Sequence, residues 1–297
     1  MTIGPVVRIN PHELHCNDPK FLDTLYPSGV KNREKAMTFT RDHQLHRKRR
    51  ATLIKFFSRS RILKLQDDIQ ARVQKLCDKL LASRGQRELG AVKVYSTFAT
   101  DIISDYLYGW SFNFLDKSGW DANYLASMEM LESMAFVNRH IPFVRNLQPY
   151  VPPVLTFYLL DKPQICAKVR TELETIVEDP THLPPWEVLE KLPYLSGVIL
   201  EGIRLSHGVS GRMPRIAPDE DMVYRGVWNS TDVTYVIPRG WAIGTSSPLI
   251  HTHESIFPQP LEFIPERWLD ENNHRRRDLE AYIMSFGKGS RVCLGMQ

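Results

Sequence analysis

The chain has 297 residues, and 42% of them are hydrophobic, so it can bury the core of one large domain or of two smaller ones. Its 38 Lys and Arg residues against 34 Asp and Glu leave a formal net charge of +4, which is too small to indicate a nucleic-acid partner. Its four cysteines contain no Cys-x-x-Cys pair, which argues against a zinc site or a disulfide framework and is typical of a reducing compartment: Cys16, Cys77, Cys166 and Cys293.

The N-terminal part of the chain predicts a short strand followed by helices. It opens without the basic flank and apolar core of a signal peptide. Val6 to Ile9 is a β-rich run that Asn10-Pro11 stops, and Asp18-Pro19 opens a brief helical turn. Residues 41–57 predict a basic helix that continues into an apolar end.

Two longer helices are predicted next. Ser58 and Ser60 are suitable N-caps for a helix that Gly85 ends. Val92 to Tyr108 predicts another helix, which stops at Gly109. The apolar positions of the first one recur at steps of three and four residues: Ile62, Leu65, Ile69, Val73, Leu76 and Leu80.

The central part of the chain predicts helices between proline-rich breaks. Residues 124–137 predict a helix. A second is predicted from Lys162 or Pro163 to Val177, with the proline in its first turn, and a third from Leu189 to Leu205, interrupted around Pro193. No segment reaches the ~20 apolar residues of a membrane-spanning helix, because Val151 to Leu160 is too short and opens with two prolines. We therefore expect the chain as written to be cytoplasmic or peripheral to a membrane.

From Met222 to Ser247 the pattern changes to short β-rich runs separated by Gly, Pro and Asn. These runs are Val223-Tyr224, Val233 to Ile237, and Trp241 to Ile243. The sequence as a whole therefore predicts a mainly α fold with a small β region.

The last cysteine ends a loop with an unusual composition: Phe286-Gly287-Lys288-Gly289-Ser290-Arg291-Val292-Cys293-Leu294-Gly295. Glycines let a backbone turn tightly and approach a flat ligand, the aromatic ring can lie beside that ligand, and Arg291 can pair with a carboxylate on it. A lone cysteine is more often a small buried hydrophobe. The glycines lack the spacing of a phosphate-binding loop, so that interpretation is rejected.

Three further segments bear on this loop. Glu201 and Arg204 lie three apart on a predicted helix and can pair, although such a pair is usually a solvated surface contact. Arg267 lies in a proline-punctuated stretch that by itself indicates an ordinary loop. His46 and Arg50 lie one helical turn apart on a basic face, which by itself is equally compatible with binding an acidic surface.

The spacing Phe-x-x-Gly-x-Arg-x-Cys-x-Gly resembles the haem-binding loop of the cytochrome P-450 family, and the three other segments follow that family's order. The resemblance covers nearly all of the chain and is closest to fungal microsomal members. It implies a cytochrome P-450 fold, one domain over residues 1–297, and haem b (iron protoporphyrin IX) as the cofactor.

The resemblance also implies roles for individual residues. Cys293 would ligate the iron and Phe286 would pack beside the ring. The propionates would be held by Arg291, by the His46 and Arg50 pair, and by Arg215, for which Arg212 is an alternative. Glu201, Arg204 and Arg267 would form a structural triad.

The implied activity is haem-dependent monooxygenation, a hydroxylation or epoxidation of a lipophilic small molecule, for example in fungal secondary metabolism. The implied partners are dioxygen and an NADPH-cytochrome P-450 reductase, with no nucleic acid. The family's usual location is the endoplasmic reticulum membrane.

From the resemblance we expect three parts of the family pattern to be missing from the sequence as written. They are the N-terminal anchor with the first helix, the helix of which Leu294 to Gln297 would be the start, and the central oxygen-binding helix with its Ala/Gly-Gly-x-Asp/Glu-Thr-Thr motif. The last of these indicates an internal deletion near residues 148–155 and leaves no identifiable catalytic acid and threonine pair. Two alternatives stay open: an inactive chain that is truncated or comes from a faulty gene model, and a haem-binding module without oxygenase activity.

Overall fold

A computed structural model describes the chain over residues 4–28, 33–35, 43–85, 88–120, 151–179, 183–206 and 211–293. The helix expected over residues 124–137 and the end of the chain from Leu294 lie outside these ranges. The chain forms two compact units. Unit 1 comprises Met1–Ile62, His207–Glu262 and Arg276–Gln297, and unit 2 comprises Leu63–Ser206 and Phe263–Arg275.

The strands of the described residues lie in two sheets. Their bounds are β1 Val6–Asn10, β2 Glu13–Cys16, β3 Glu34–Lys35, β4 Arg215–Ile216, β5 Met222–Trp228, β6 Thr231–Ile237 and β7 Ala242–Gly244. Five of them form a sheet in unit 1 in the order β1-β2-β7-β4-β3, in which β2 and β7 are parallel and the other neighbours antiparallel. β5 and β6 form an antiparallel ribbon in the same unit.

The described residues are otherwise mainly helical, as the sequence predicts. The α-helices are α1 Leu22–Leu25, α2 His43–Ile54, α3 Arg59–Leu63, α4 Gln66–Ala82, α5 Ala91–Tyr108, α6 Val151–Asp161, α7 Pro163–Glu174, α8 Trp186–Leu189, α9 Pro193–Leu205, α10 Ser247–His251 and α11 Arg277–Glu280. Single 3-10 turns occur at Pro19–Phe21, Phe114–Asp116, Pro265–Trp268 and Gly289–Arg291. Among the described residues, no helix has the length and apolarity that crossing a bilayer requires.

Local signals in the sequence account for several helix ends. α5 ends where expected, because Gly109 adopts φ 72° and caps the helix in the left-handed region that glycine tolerates. Pro193 begins α9 rather than interrupting a longer helix, since a proline at the first helical position has no N–H to satisfy.

One prediction in the helical part is wrong, and one helix was not predicted. The single helix expected through Ile62 and Leu80 is divided into α3 and α4, which are separated at Lys64-Leu65. Val151 to Leu160 was expected only as an apolar segment opened by two prolines, yet it forms α6. Prolines are tolerated in the first turn of a helix, where the N–H groups have no partner within the helix, so they mark a start here and not a break.

In unit 2, α6 and α9 approach each other closely around a glycine. A β-carbon at Gly202 would collide with the side chain of Leu155 on α6. On the same helix α9, a β-carbon at Gly197 would lie 2.9 Å from the carbonyl oxygen of Pro265. These two glycines let α9 pack against α6 and against the Pro265–Trp268 turn. Glu201 lies on α9 between the two glycines, and Arg204 lies beyond them in the last turn of the helix.

Candidate functional site

The loop that ends at Cys293 is closed by its own backbone. The amide of Cys293 donates to the carbonyl of Phe286 at 2.8 Å. Gly287 and Gly289 have φ values of 76° and 72°, which side chains rarely allow. The Cys293 side chain is exposed, and Phe286 is 36% exposed. The loop therefore presents a thiol and an aromatic ring at its two ends.

The same loop is seated on the turn that follows α1. A β-carbon at Gly289 would lie 2.5 Å from the carbonyl oxygen of Tyr26 and 2.7 Å from that of Pro27. The amide of Ser290 donates to the carbonyl of Pro27 at 3.2 Å. Glycine is therefore required at position 289 both by its backbone conformation and by the space available.

The predicted pair on α2, His46 and Arg50, lies on the partly buried face of that helix. Between Gln44 and Phe56 every side chain is exposed except His46 and Arg50, which are partly buried. Nη1 of Arg50 donates to the carbonyl of Val292 at 2.6 Å. Arg50 thus binds the peptide group that directly precedes Cys293, and holding a propionate remains its predicted role.

Two of the predicted arginines are buried in unit 1. Arg215 is 3% exposed and Arg291 is 5% exposed. The guanidinium of Arg215 lies 5.0 Å from the centre of the Tyr26 ring and donates to the carbonyl of Pro214 at 3.2 Å. Burial lowers the pKa of Arg215, and the positive charge of Arg291 lowers that pKa further. Among the described residues, Arg215 forms no ion pair with a carboxylate.

This donor set fits a haem. A buried guanidinium without a carboxylate partner is costly, and an anion supplied by a ligand would remove that cost. A propionate ~4 Å from a guanidinium gains roughly 4 kcal/mol at an effective dielectric near 20, before desolvation. The exposed thiol of Cys293, on a glycine loop in the same unit, would supply a sulfur ligand for the iron of such a group.

The three residues predicted as a triad meet in unit 2. Glu201 is fully buried and accepts five N–H bonds. Arg204 donates two of them at 2.8 Å, and Nε of Arg267 donates one at 3.1 Å. The other two donors are not indicated by the sequence: they are the Ile264 amide at 3.0 Å and Nε1 of Trp268 at 2.9 Å.

Tyr26 is a buried residue next to Arg215 and the cysteine loop that the sequence did not indicate. Its hydroxyl donates to the carbonyl of Met213 at 2.9 Å and accepts from the amide of Thr245 at 3.1 Å. Burial raises its pKa to about 12, so the hydroxyl remains protonated at neutral pH. Its partners lie 187 and 219 positions along the chain, and no local pattern indicates them.

Comparison with known proteins decides the family. The family model described as "Cytochrome P450", the cytochrome P-450 family, matches residues 153–297. The cytochrome P-450 monooxygenase ppzE of Metarhizium majus is 34% identical over 397 positions that cover 99% of this chain and 83% of the relative. This chain belongs to the cytochrome P-450 family. A conidiogenone synthase of Penicillium rubens is 31% identical, with 98% of this chain and 75% of the relative covered.

The fold agrees with the solved structures of the family. The crystal structure of a cytochrome P-450, CYP102L1, superposes with a TM-score of 0.72 at 18% identity and covers 98% of this chain and 83% of that one. The expected P-450 fold is thereby confirmed, and the expected haem b cofactor follows from the family. As a member, the chain is a haem-dependent monooxygenase that uses dioxygen, a lipophilic substrate and electrons from a redox partner.

Proposed function

We propose that haem b binds in unit 1 of this P-450, where Cys293 would ligate the iron and Phe286 would pack beside the ring. Arg215 and Arg291 would hold the propionates, and His46 and Arg50 of α2 would be further donors to them. The observation that carries this proposal is the buried guanidinium of Arg215, which has no carboxylate partner among the described residues.

When bound, a thiolate-ligated haem supplies the electron density that favours cleavage of the O–O bond of dioxygen. The residues of the chain act on the ligand and its support. Arg50 binds the carbonyl that precedes Cys293, and Gly289 lets the loop rest on the turn after α1. The Glu201, Arg204 and Arg267 cluster stabilises unit 2 as a fully hydrogen-bonded network.

The substrate is a lipophilic small molecule that is hydroxylated or epoxidised in fungal secondary metabolism. The sequence identity of 34% and 31% with two fungal relatives supports this substrate class. One of them is named a monooxygenase and the other a conidiogenone synthase. We infer that an NADPH-cytochrome P-450 reductase supplies the electrons and that the protein works at the endoplasmic reticulum membrane, as is usual for microsomal members of the family.

We also infer that the chain is a single P-450 domain with an internal deletion near residues 148–155. The alignment with the Metarhizium majus relative runs over 397 positions although this chain has 297 residues, so the relative carries sequence without a counterpart here. Residues 148–150 lie outside the described ranges, and α6 begins at Val151.

A second candidate is a haem-binding module without oxygenase activity. The observation that favours it is the absence from the sequence of an Ala/Gly-Gly-x-Asp/Glu-Thr-Thr motif, since oxygen activation would need an acid and an alcohol that deliver protons.

Haemin titration of the purified chain, followed by a carbon monoxide difference spectrum of the reduced protein, separates these candidates. We expect haem uptake and a Soret band at the position of a thiolate-ligated haem. Cys293→Ala should abolish that band, whereas Cys77→Ala, at another exposed cysteine, should leave it unchanged. Oxygenase activity then predicts substrate-dependent NADPH consumption with reductase. A thiolate spectrum without turnover supports the haem-binding module, and no uptake refutes the haem site.

A further inference from the structure

Tyr26 completes a sheet hydrogen bond with its side chain. β4 and β7 are antiparallel, with Arg215 opposite Ile243, and the amide of Met213 donates to the carbonyl of Thr245 at 3.1 Å as the ladder continues. The reciprocal connection runs through a hydroxyl: the Thr245 amide donates to Tyr26, and Tyr26 donates to the Met213 carbonyl. One side chain therefore sets the separation of the two strand ends.

The ring of the same tyrosine supports the buried cation. The guanidinium of Arg215 lies 5.0 Å from the ring centre, within the range of a cation–π contact. Tyr26 is 2% exposed, so this contact is made away from water, where it is stronger. The hydroxyl of Tyr26 thus holds the backbone next to Arg215, and its ring holds the guanidinium of Arg215.

The backbone of Tyr26 supports the cysteine loop. Its carbonyl oxygen would lie 2.5 Å from a β-carbon at Gly289, so the two backbones are in direct contact. The next carbonyl, that of Pro27, accepts from the Ser290 amide at 3.2 Å. Residue 26 therefore contacts both the segment that carries the predicted propionate cation and the loop that carries the predicted iron ligand.

We propose that Tyr26 is the positioning residue of the haem site: its ring and hydroxyl place Arg215 for a propionate, while its backbone seats the Cys293 loop. This proposal rests on the proposed function, in which Arg215 and Cys293 hold the haem. A tyrosine with a purely structural role would also stabilise unit 1. Its loss would not, however, change haem affinity by an amount that depends on the propionate charges.

Two variants of the full chain separate the contributions of the side chain. Tyr26→Phe keeps the ring and loses the hydroxyl bridge, so haemin affinity should fall about threefold to tenfold. Tyr26→Leu also loses the cation–π contact, and its affinity should fall by a further factor of about three or more. Tyr224→Phe is the matched control, because Tyr224 is 1% exposed in the same core and donates its hydroxyl to Asp18 at 2.6 Å.

The test is haemin titration of the apoprotein at equal fractions folded, repeated with haemin dimethyl ester, which has no propionate charges. We expect the loss in Tyr26→Leu to shrink with the ester, because Arg215 then has no anion to bind. Wild-type affinity in both Tyr26 variants, an equal loss in Tyr224→Phe, or a loss unchanged by the ester would each overturn the proposal. A wild-type chain that takes up no haemin refutes the proposed function itself, and that result is distinct from a failure at Tyr26 alone.

Discussion

At the scale of single residues, the Glu201 carboxylate shows how hydrogen bonds stabilise a charged group that is buried. Both of its oxygens are occupied, Oε1 by Arg204, Arg267 and the Ile264 amide, and Oε2 by Arg204 and Trp268. A buried ion pair is tolerated when every donor and acceptor is satisfied, and removing one partner leaves the others buried and uncompensated.

Glu201→Gln tests this network with little change of shape. The new amide would place an NH₂ group against donors, so we expect the free energy of unfolding to fall by about 3–5 kcal/mol in urea titrations. Glu266→Gln is the control, because Glu266 pairs with Lys168 at 2.7 Å with both side chains about half exposed. That change should cost less than ~1 kcal/mol. Equal losses in the two variants would contradict a special role for burial.

Lys79 provides a second test at this scale. Its ammonium donates to three backbone carbonyls between residues 115 and 119 at 3.1, 2.7 and 2.8 Å, and it lies 4.6 Å from the centre of the Trp120 ring. A lysine has three protons to donate, so all of them are used. Lys79→Met keeps the aliphatic stem and loses these bonds, and the free energy of unfolding should fall by about 2 kcal/mol.

The control for this prediction lies one turn away on the same helix. Lys75 pairs with Asp116 in an ion pair whose side chains are 46% and 51% exposed. Lys75→Met should therefore change the free energy of unfolding by less than ~1 kcal/mol. If both methionine variants unfold at the same urea concentration, the carbonyl cluster around Lys79 adds nothing to stability.

At the scale of elements, the cysteine loop depends on the glycine that lets it rest on Tyr26. Gly289→Ala would place a β-carbon 2.5 Å from a carbonyl oxygen at φ 72°, so the loop has to shift and haemin uptake should be largely lost. Gly240→Ala has similar backbone strain at φ 84° but nothing within 4 Å. It should lower stability by about 1 kcal/mol and leave haemin affinity unchanged, as measured by Soret titration. Normal haemin affinity in Gly289→Ala would refute the close seating.

The elements also show which parts of the fold a sequence can predict. α5 is long and periodic and ends at a glycine, so its local signals agree with its structure. β3 and β4 have two residues each and pair only because segments far apart in the chain meet. α6 was missed because two prolines have the same local signature in a first turn as in a break.

In the candidate site, too, some residues have local sequence signals and others depend on contacts between distant segments. Cys293 and the arginines are indicated by short segments that resemble motifs of the family, whereas Tyr26 acts through hydrogen-bond partners that lie 187 and 219 positions away. A contact of that kind leaves no periodicity in the sequence. Tyr26 could therefore be recognised only from the three-dimensional arrangement.

At the scale of the whole molecule, the two units carry different parts of the P-450 machinery. The predicted haem ligands all belong to unit 1, and the Glu201 cluster belongs to unit 2. Unit 1 is assembled from both ends of the chain and a middle segment, and its core joins Leu22 and Tyr26 to Ile243 and Met284. Since these contacts are distant in sequence, unit 1 depends on long-range pairing, which is slow to form during folding.

Unit 1 also concentrates buried groups that resist ionisation. Burial raises the pKa of Cys16 and of Tyr26 to about 12, and burial together with the hydrogen bond to Asp18 raises the pKa of Tyr224. In unit 2, among the described residues, the pKa of Tyr194 is raised, first by burial and then by Glu266. The folded state therefore holds these protons more tightly than the unfolded chain does.

This difference predicts alkaline unfolding. The stability that these protons contribute is fully present below the unfolded pKa values, about 8.5 for Cys and about 10 for Tyr, and it is lost as the pH rises towards 12. Urea titrations should show a falling free energy of unfolding from pH 8 to 11, and a shallower fall in Tyr224→Phe. Tyr108→Phe, at a tyrosine that is 66% exposed, should keep the wild-type slope. A stability that stays constant or increases over this range would show that the buried hydroxyl and thiol groups of unit 1 do not control its response to pH.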